Sequence, residues 1–289
     1  MTFKRNANIL RPLSVVAATL LLGWTSLSHA HGRYVLPSHT LVSGDKPQGI
    51  SLTASITNDL FHPDKPLGNG AGGKVNGFLQ SLFDVLQNGV VAPDGSVTPM
   101  KWQAYQRFSA SDLTVEQSGT YRVQLVQPET HMVTFKNAKG ERDRRFGSNA
   151  KIPEGATDTT RRTIASSVVA YISHNDTSDV PTTGKGLELA GETHPNDLFA
   201  GEEASFALTL NGKPLTSAAK VHFVQGGTRY RNQRDVIELE TNARGEFTLP
   251  LKQAGMHWLE VEYSMKGDKK SGVDVHHNTL YLTLEVFPQ

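Results

Sequence analysis

The sequence has 289 residues, no cysteine, and 29 basic against 28 acidic side chains, which give a formal charge of +1. Because there is no thiol, disulfide bonds, thiolate metal ligands and a lipid-modified N-terminal cysteine are all excluded. A chain so close to neutral is a poor candidate for binding nucleic acid or anionic membranes through bulk charge. Its length is typical of two domains.

Residues 1–30 have the three parts of a secretory signal peptide. Lys4 and Arg5 supply a positive start, an apolar run covers 13–22, and Ser28 and Ala30 place small side chains where signal peptidase reads them. An apolar run of about ten residues is too short to span a membrane, which needs about 20. We therefore expect cleavage after Ala30, a mature chain that starts at His31, and a periplasmic location without membrane insertion.

Beyond residue 30, short segments alternate apolar and polar residues, which is the pattern of half-buried strands. The alternation covers 50–56, 121–125, 206–210, 247–251 and 280–286. Pairs such as Asn211-Gly212 mark tight turns between them. Only residues 77–87 have a pattern that is compatible with one or two turns of helix. The pattern predicts an all-β fold of two antiparallel, immunoglobulin-like β-sandwich domains.

A charged stretch over 136–162 interrupts this alternation and contains several glycines and a proline. One further strand is predicted over 163–173, and a second polar stretch follows it. The sequence therefore predicts an N-terminal sandwich over 31–135, a linker with one added strand over 136–186, and a C-terminal sandwich over 187–289.

Several segments of the chain resemble one known family. They are Tyr34–Ser38, Ser55–Phe61, Thr183–Leu189, His194–Leu198, Gly226–Arg231 and Leu284–Gln289. Together they resemble a domain-of-unknown-function family of periplasmic proteins, often labelled the periplasmic component of an ABC-type cobalt or nickel transport system. The resemblance implies a β-sandwich architecture whose second domain is similar to transthyretin-like modules. It also implies a role in metal uptake, with a membrane transporter component or an outer-membrane receptor as partner, but it brings no set of ligands.

His31 is the residue with the most specific chemistry. As a mature N-terminus it offers an α-amine and an imidazole nitrogen from one residue, a combination that suits Cu(II) or Ni(II). One further histidine would complete a three-nitrogen site of the histidine-brace kind. The candidates are His62, which lies between carboxylates in a turn-rich stretch, and His194, which lies where the C-terminal domain begins. Alternatively, His31 only permits cleavage and frays at a chain end, and the other two are ordinary loop histidines.

Three other segments allow both a functional and a structural interpretation. His276 and His277 are adjacent in a predicted strand, so their side chains point to opposite faces and are poorly placed to bind one ion. The glycine-rich stretch 68–77 lacks the Gly-Lys-Ser/Thr ending of a phosphate-binding loop and indicates a surface loop. Gly226–Arg231 could present Arg229 and Tyr230 to a ligand or form a conformationally demanding turn.

A basic cluster lies within the polar stretch over 136–162. Its members are Arg142, Arg144, Arg145, Arg161 and Arg162. Because no aromatic residues are interleaved with them, nucleic-acid binding is not favoured. We prefer the interpretation that these charges lie on a solvated loop and are balanced by Glu141, Asp143 and Glu154.

No pattern for catalysis is present: the sequence lacks a Gly-x-Ser-x-Gly elbow, a His-Glu-x-x-His pair and a Ser-x-x-Lys arrangement. We therefore expect a non-enzymatic periplasmic accessory that binds a divalent transition metal ion (Ni, Co or Cu) for an uptake system. One alternative is a structural or interaction module of the cell envelope that binds a protein or a glycan. Another is a copper enzyme built on His31.

Overall fold

The computed structural model describes residues 31–68, 84–177, 179–268 and 270–289. The predicted signal peptide lies outside the described residues, as does most of the glycine-rich stretch 68–77 and of the possible helical turn over 77–87. Residues His31–Gln289 form one compact unit. In the described ranges no helix is both long enough and apolar enough to cross a membrane.

Strands make up most of the described chain, and the prediction of an all-β fold is confirmed. In chain order they are β1 (Gly32–Pro37), β2 (Leu41–Val42), β3 (Gln48–Thr57), β4 (Lys65–Pro66), β5 (Gln87–Val91), β6 (Val97–Pro99), β7 (Gln103–Ala104), β8 (Ser109–Val115), β9 (Gly119–Lys136), β10 (Arg142–Phe146), β11 (Thr157–His174), β12 (Leu187–Ala190), β13 (Glu203–Leu210), β14 (Lys213–Pro214), β15 (Lys220–Gln225), β16 (Ile237–Glu240), β17 (Phe247–Pro250), β18 (Gly255–Lys266) and β19 (Val275–Val286). A 3-10 turn covers Thr228–Tyr230.

A ten-stranded sheet forms the centre of the compact unit. Its order is β16-β15-β18-β19-β11-β9-β5-β6, with β10 also beside β9 and β2 beside β11. The central strand β11 runs antiparallel to β9 and parallel to β19. One sheet therefore contains strands from all three predicted parts of the mature chain.

Two smaller sheets cover opposite faces of this central sheet. Val168, Ala170 and Ile172 of β11 belong to a hydrophobic cluster with residues of β1 and β3, whereas Val169 and Tyr171 belong to a second cluster with residues of β13 and β17. Alternate residues of a strand point to opposite faces, so both faces of β11 are buried. This explains why 168–172 is a continuous apolar run and does not alternate. We call the two surfaces the β1 face and the β13 face of the central sheet.

The structure differs from the expected irregular stretch over 136–162. It contains β10 and the first six residues of β11, both paired with the outer half of β9. These strands are polar because little covers them, and backbone hydrogen bonds to β9 hold them in place without apolar alternation. The division of the chain at 135 and 187 stays a prediction, because β11 contributes to both hydrophobic clusters.

Candidate functional site

The candidate site is centred on His31, the residue directly before β1. β1 runs antiparallel to β3 with Gly32 opposite Thr57, so His31 lies beside Asn58, the first residue after β3. The imidazole is exposed, and its Nδ1 lies 2.7 Å from Oδ1 of Asn58. An amide oxygen can only accept, so Nδ1 donates, and in the neutral ring Nε2 then has the lone pair. The strand register therefore places His31 beside Asn58, and the hydrogen bond between them orients the His31 ring.

The turn after β3, residues 57–64, is held by its own polar groups. The Thr57 hydroxyl contacts the carbonyl oxygens of Asp59 (2.5 Å) and His62. The backbone N–H of Asn58 donates to the Asp64 carboxylate at 2.8 Å. The tight path requires a φ of 61° at Phe61, a conformation that aromatic residues rarely adopt. The turn thus has a defined shape next to His31.

The segment Gly226–Tyr230 packs against this turn. The backbone N–H of Leu60 donates to the Thr228 hydroxyl at 2.9 Å. A Cβ atom at Gly226 would lie 2.9 Å from a ring carbon of Phe61, so only glycine allows this approach. The segment is therefore a conformationally demanding turn that packs against the turn beside His31, and presentation of Arg229 and Tyr230 to a ligand stays a prediction.

The Arg229 guanidinium blocks Nε2 of His62, the nitrogen through which His62 would bind a metal ion. Its Nη1 contacts Nε2 of His62. A guanidinium can only donate, so Nε2 accepts and this contact requires a neutral imidazole. A divalent cation at Nε2 would have to displace the guanidinium and would be repelled by it at short range.

A second guanidinium, that of Arg234, lies beneath the start of β1. It stacks over Trp258 at 5.3 Å, and its Nη2 would be 3.6 Å from a Cβ atom at Gly32. Burial lowers the pKa of Arg234, while the charges of Glu260 and Asp59 act in the opposite direction. The surroundings of His31 therefore combine two guanidinium groups with nearby carboxylates.

The structure does not bring His194 to the other two histidines. Its Nε2 lies 2.9 Å from the Thr120 hydroxyl, and its Nδ1 accepts the backbone N–H of Asn196 at 3.1 Å. The Asn196 side chain in turn donates to the carbonyl oxygen of Thr40, which follows the end of β1. His31 and His194 thus lie near opposite ends of β1, a six-residue strand about 20 Å long.

The remaining histidines do not supply a preformed metal site. His276 bonds to the Thr163 hydroxyl on β11, whereas His277 bonds to Ser264 on β18. Within the part of the chain that the structure describes, no group of three or more His, Cys, Asp or Glu side chains could hold a metal ion. A site at His31 therefore needs the α-amine as one of its donors.

Sequence reasoning did not identify Asn58 and Thr228 as contributors to this region. Asn58 directly follows an alternating segment, and a prediction that 50–56 pairs antiparallel with the start of the mature chain would have placed it beside His31. No local signal points to Thr228, whose contact with Leu60 joins residues 168 positions apart.

Comparisons with known proteins identify a family but no activity. A family model described as a domain of unknown function (DUF4198) matches residues 28–265. No curated protein sequence matches the chain.

Two solved structures show only distant similarity. Trypsin-activated α2-macroglobulin from Escherichia coli is 10% identical with a TM-score of 0.21, and the match covers 88% of this chain and 15% of that chain. The two tandem V-type regions of VCBP3, a v-region-containing chitin binding protein, are 12% identical with a TM-score of 0.19, and the match covers 86% of this chain and 98% of that chain. At such TM-scores neither similarity says anything about the fold or function of this chain.

Proposed function

We propose that this protein, which belongs to the DUF4198 family of domains of unknown function, is a non-enzymatic periplasmic protein that binds a divalent transition metal ion at His31. The observation that carries the proposal is the position of His31. It is the first residue of the compact unit, it is exposed, and it lies beside the turn that carries His62. Signal peptide cleavage after Ala30 would convert its backbone nitrogen into an α-amine.

Cleavage would also change what the His31 ring can do. In the uncleaved chain Nδ1 of His31 donates to Oδ1 of Asn58. A free α-amine and Nδ1 of the same residue can close a six-membered chelate ring around Cu(II) or Ni(II), with metal–nitrogen distances of about 2 Å. Chelation requires Nδ1 to lose its hydrogen, so metal binding and the Asn58 hydrogen bond exclude each other. The proposed site is therefore specific to the processed protein.

His62 is the proposed third ligand, because it lies in the same turn as Asn58. Its Nε2 becomes available when the Arg229 guanidinium moves away. An exposed site with two or three nitrogen donors releases its ion more readily than a buried, fully coordinated one. This property suits a protein that passes Ni, Co or Cu to a membrane transporter component or accepts it from an outer-membrane receptor.

A metal titration with defined N-termini tests the proposal. Protein purified from the periplasm is checked by intact mass for a start at His31, then titrated with Cu(II), Ni(II) and Co(II). We expect His31→Ala, and a variant with one extra residue before His31, to weaken binding at least about a hundredfold, since each removes a chelating nitrogen. His39→Ala, which changes an exposed histidine beyond β1, is the matched control. Equal affinity of the extended variant and the native protein would refute the site.

A second candidate function, an interaction module that binds an envelope glycan, is favoured by exposed aromatic rings. Tyr230 is 84% exposed on one side of the turn, and Tyr105 stacks on Phe108 with ring centroids 5.1 Å apart on the loop after β7. Tyrosine rings bind sugars through their faces while the hydroxyl stays in water. Sedimentation with purified peptidoglycan tests this: Tyr230→Ala should reduce binding to peptidoglycan and leave the metal titration unchanged.

A further inference from the structure

Positive charge is concentrated in one segment of an otherwise acidic unit. Residues 136–162 contain eight basic and four acidic side chains, and residues 31–289 contain 26 and 28. The rest of the compact unit therefore has 18 basic against 24 acidic side chains. Since the segment includes β10 and the start of β11, its five arginines lie on strands and not on a solvated loop.

Strand register sorts these basic side chains between the two faces of the sheet. On one side of β9, Arg142 lies opposite Lys136 and Arg144 opposite Thr134. On its other side, Thr160 lies opposite Thr134 and Arg162 opposite Met132. Directly opposed residues point to the same face and consecutive residues alternate. Arg142, Arg144 and Arg162 therefore share the β1 face, while Arg145 and Arg161 point to the β13 face.

The three arginines that share the β1 face line an open groove, which we call the β10 groove. It has a volume of about 660 Å³ and is also lined by Thr134, Phe135, Lys136, Asp143, Asp158 and Thr160. Strands β10 and β11 are separated only by β9, so their Cα atoms lie about 10 Å apart across the groove. Long arginine side chains from both strands can therefore reach one bound group.

The carboxylates nearest the groove are paired with other cations. Asp158 bonds to Lys136 at 2.6 Å, and Asp143 bonds to Arg145, which points to the other face, at 2.7 Å. Over the described ranges, Arg142, Arg144 and Arg162 form no ion pair within 4 Å, although the charge of Arg142 acts on Asp158 and that of Arg144 on Asp143. The Nε atom of Arg162 is buried with no hydrogen-bond partner. A half-buried guanidinium with an unsatisfied donor is unfavourable unless a ligand completes it.

We propose that the β10 groove binds a phosphate group, carried either by a soluble phosphate or by a lipid headgroup. The planar guanidinium fork donates two parallel hydrogen bonds to phosphate oxygens, and several guanidiniums match the charge of a dianion. Phe146 is 43% exposed, and its ring lies 5.9 Å from the guanidinium carbon of Arg144. An apolar ring at this position can contact the organic part of the phosphate-bearing molecule. This site is independent of the proposed metal site at His31.

The test uses two probes and a control variant on the same strand. Binding of inorganic phosphate is measured by calorimetry at low salt, and binding to phosphatidylcholine vesicles, with and without phosphatidylglycerol, is measured by sedimentation. The Arg142→Gln/Arg144→Gln double variant and Arg162→Gln remove groove charges. Arg161→Gln is the control, because it removes one charge from β11, next to Arg162 but on the opposite face. Thermal unfolding verifies that every variant is folded.

We expect the double variant to lose at least about tenfold in affinity and the control to stay within about twofold, with all binding weakened by added salt. Binding of phosphate identifies a soluble ligand, and binding only to phosphatidylglycerol vesicles identifies a lipid headgroup. Both outcomes require the loss in the double variant. If neither probe binds, or if the double and control variants behave alike, the proposal is wrong. If the Arg162→Gln variant does not fold, the Arg144→Gln single variant replaces it. A loss of affinity in Arg144→Gln then supports the proposal in the same way.

Discussion

The Nδ1 atom of His31 lies 2.7 Å from Oδ1 of Asn58, although 27 residues separate them in the chain. This hydrogen bond holds the nitrogen that the proposed chelate needs. Replacing Asn58 with alanine removes the competing acceptor and with it a hydrogen bond whose net free-energy contribution is about 1 kcal/mol. We therefore expect Asn58→Ala in the processed protein to bind Cu(II) about fivefold more tightly in a competition titration. Weaker binding would mean that Asn58 orients the ring for the metal instead of competing with it.

Arg229 offers a direct test of His62 as the third ligand. Arg229→Gln removes the cation that contacts Nε2 of His62. If His62 binds the metal, the affinity of the protein for Cu(II) should rise about tenfold in this variant, because one competing positive charge is gone. Arg107→Gln is the matched control, since Arg107 lies on the other side of the same turn, 4.0 Å from Asp64. An unchanged affinity in Arg229→Gln would leave His31 without His62 as a partner.

The buried ion pair between Arg122 and Glu188 should be a major determinant of stability. Both residues are 1% exposed, and Glu188 also accepts the backbone N–H groups of Thr183 and Gly184 at 2.8 Å. Removing Arg122 leaves the buried Glu188 carboxylate without a counter-charge, which costs about 3–5 kcal/mol. We expect Arg122→Met to lower the free energy of unfolding in urea by this amount.

The matched control for that measurement is the exposed pair Arg244–Glu246. Arg244→Met should leave the urea midpoint nearly unchanged, because solvent screens exposed ion pairs. A loss in Arg122→Met no larger than in this control would contradict the structural role of the buried pair.

His257 should make the protein less stable in mild acid. It is 3% exposed, stacks on Phe223 with ring centroids 4.8 Å apart, and donates through Nδ1 to the carbonyl oxygen of Gly255. Burial lowers the pKa of His257 below its ordinary value of 6.5. The unfolded chain therefore takes up a proton more readily than the folded protein. The free energy of unfolding should be highest above about pH 6.5 and should fall as the pH drops below it.

Urea unfolding at pH 7.5 and pH 5.5 checks this dependence. The drop in stability between the two conditions should be smaller in His257→Phe, which keeps the stacked ring and cannot take up a proton. Part of the drop should persist, because burial also lowers the pKa of His277. His39→Ala, with its exposed ring, should retain the full drop. An equal drop in His257→Phe and the native protein would contradict the assignment.

Local sequence patterns were sufficient for the class of fold but not for the composition of the site. Alternation over 50–56 and 121–125 identified parts of β3 and β9, because each of these strands presents one face to a hydrophobic cluster. The alternation rule did not detect β10, because four of its five residues are polar. Backbone hydrogen bonds to β9, and not burial of one face, make this segment a strand. Likewise, the sequence offered His62 and His194 equally as neighbours of His31, and only the fold separates them.

What the sequence by itself determined is the all-β class, the absence of any thiol chemistry, and the residue that would begin the chain after cleavage at Ala30. These depend on composition, on period-two alternation and on a linear recognition pattern, which are all local properties. The tertiary structure decided that β11 joins the two hydrophobic clusters, that Arg229 contacts His62, and that Arg142, Arg144 and Arg162 share one face. Those relationships depend on strand pairing and register between distant segments, and a shift of one residue would turn each side chain to the opposite face.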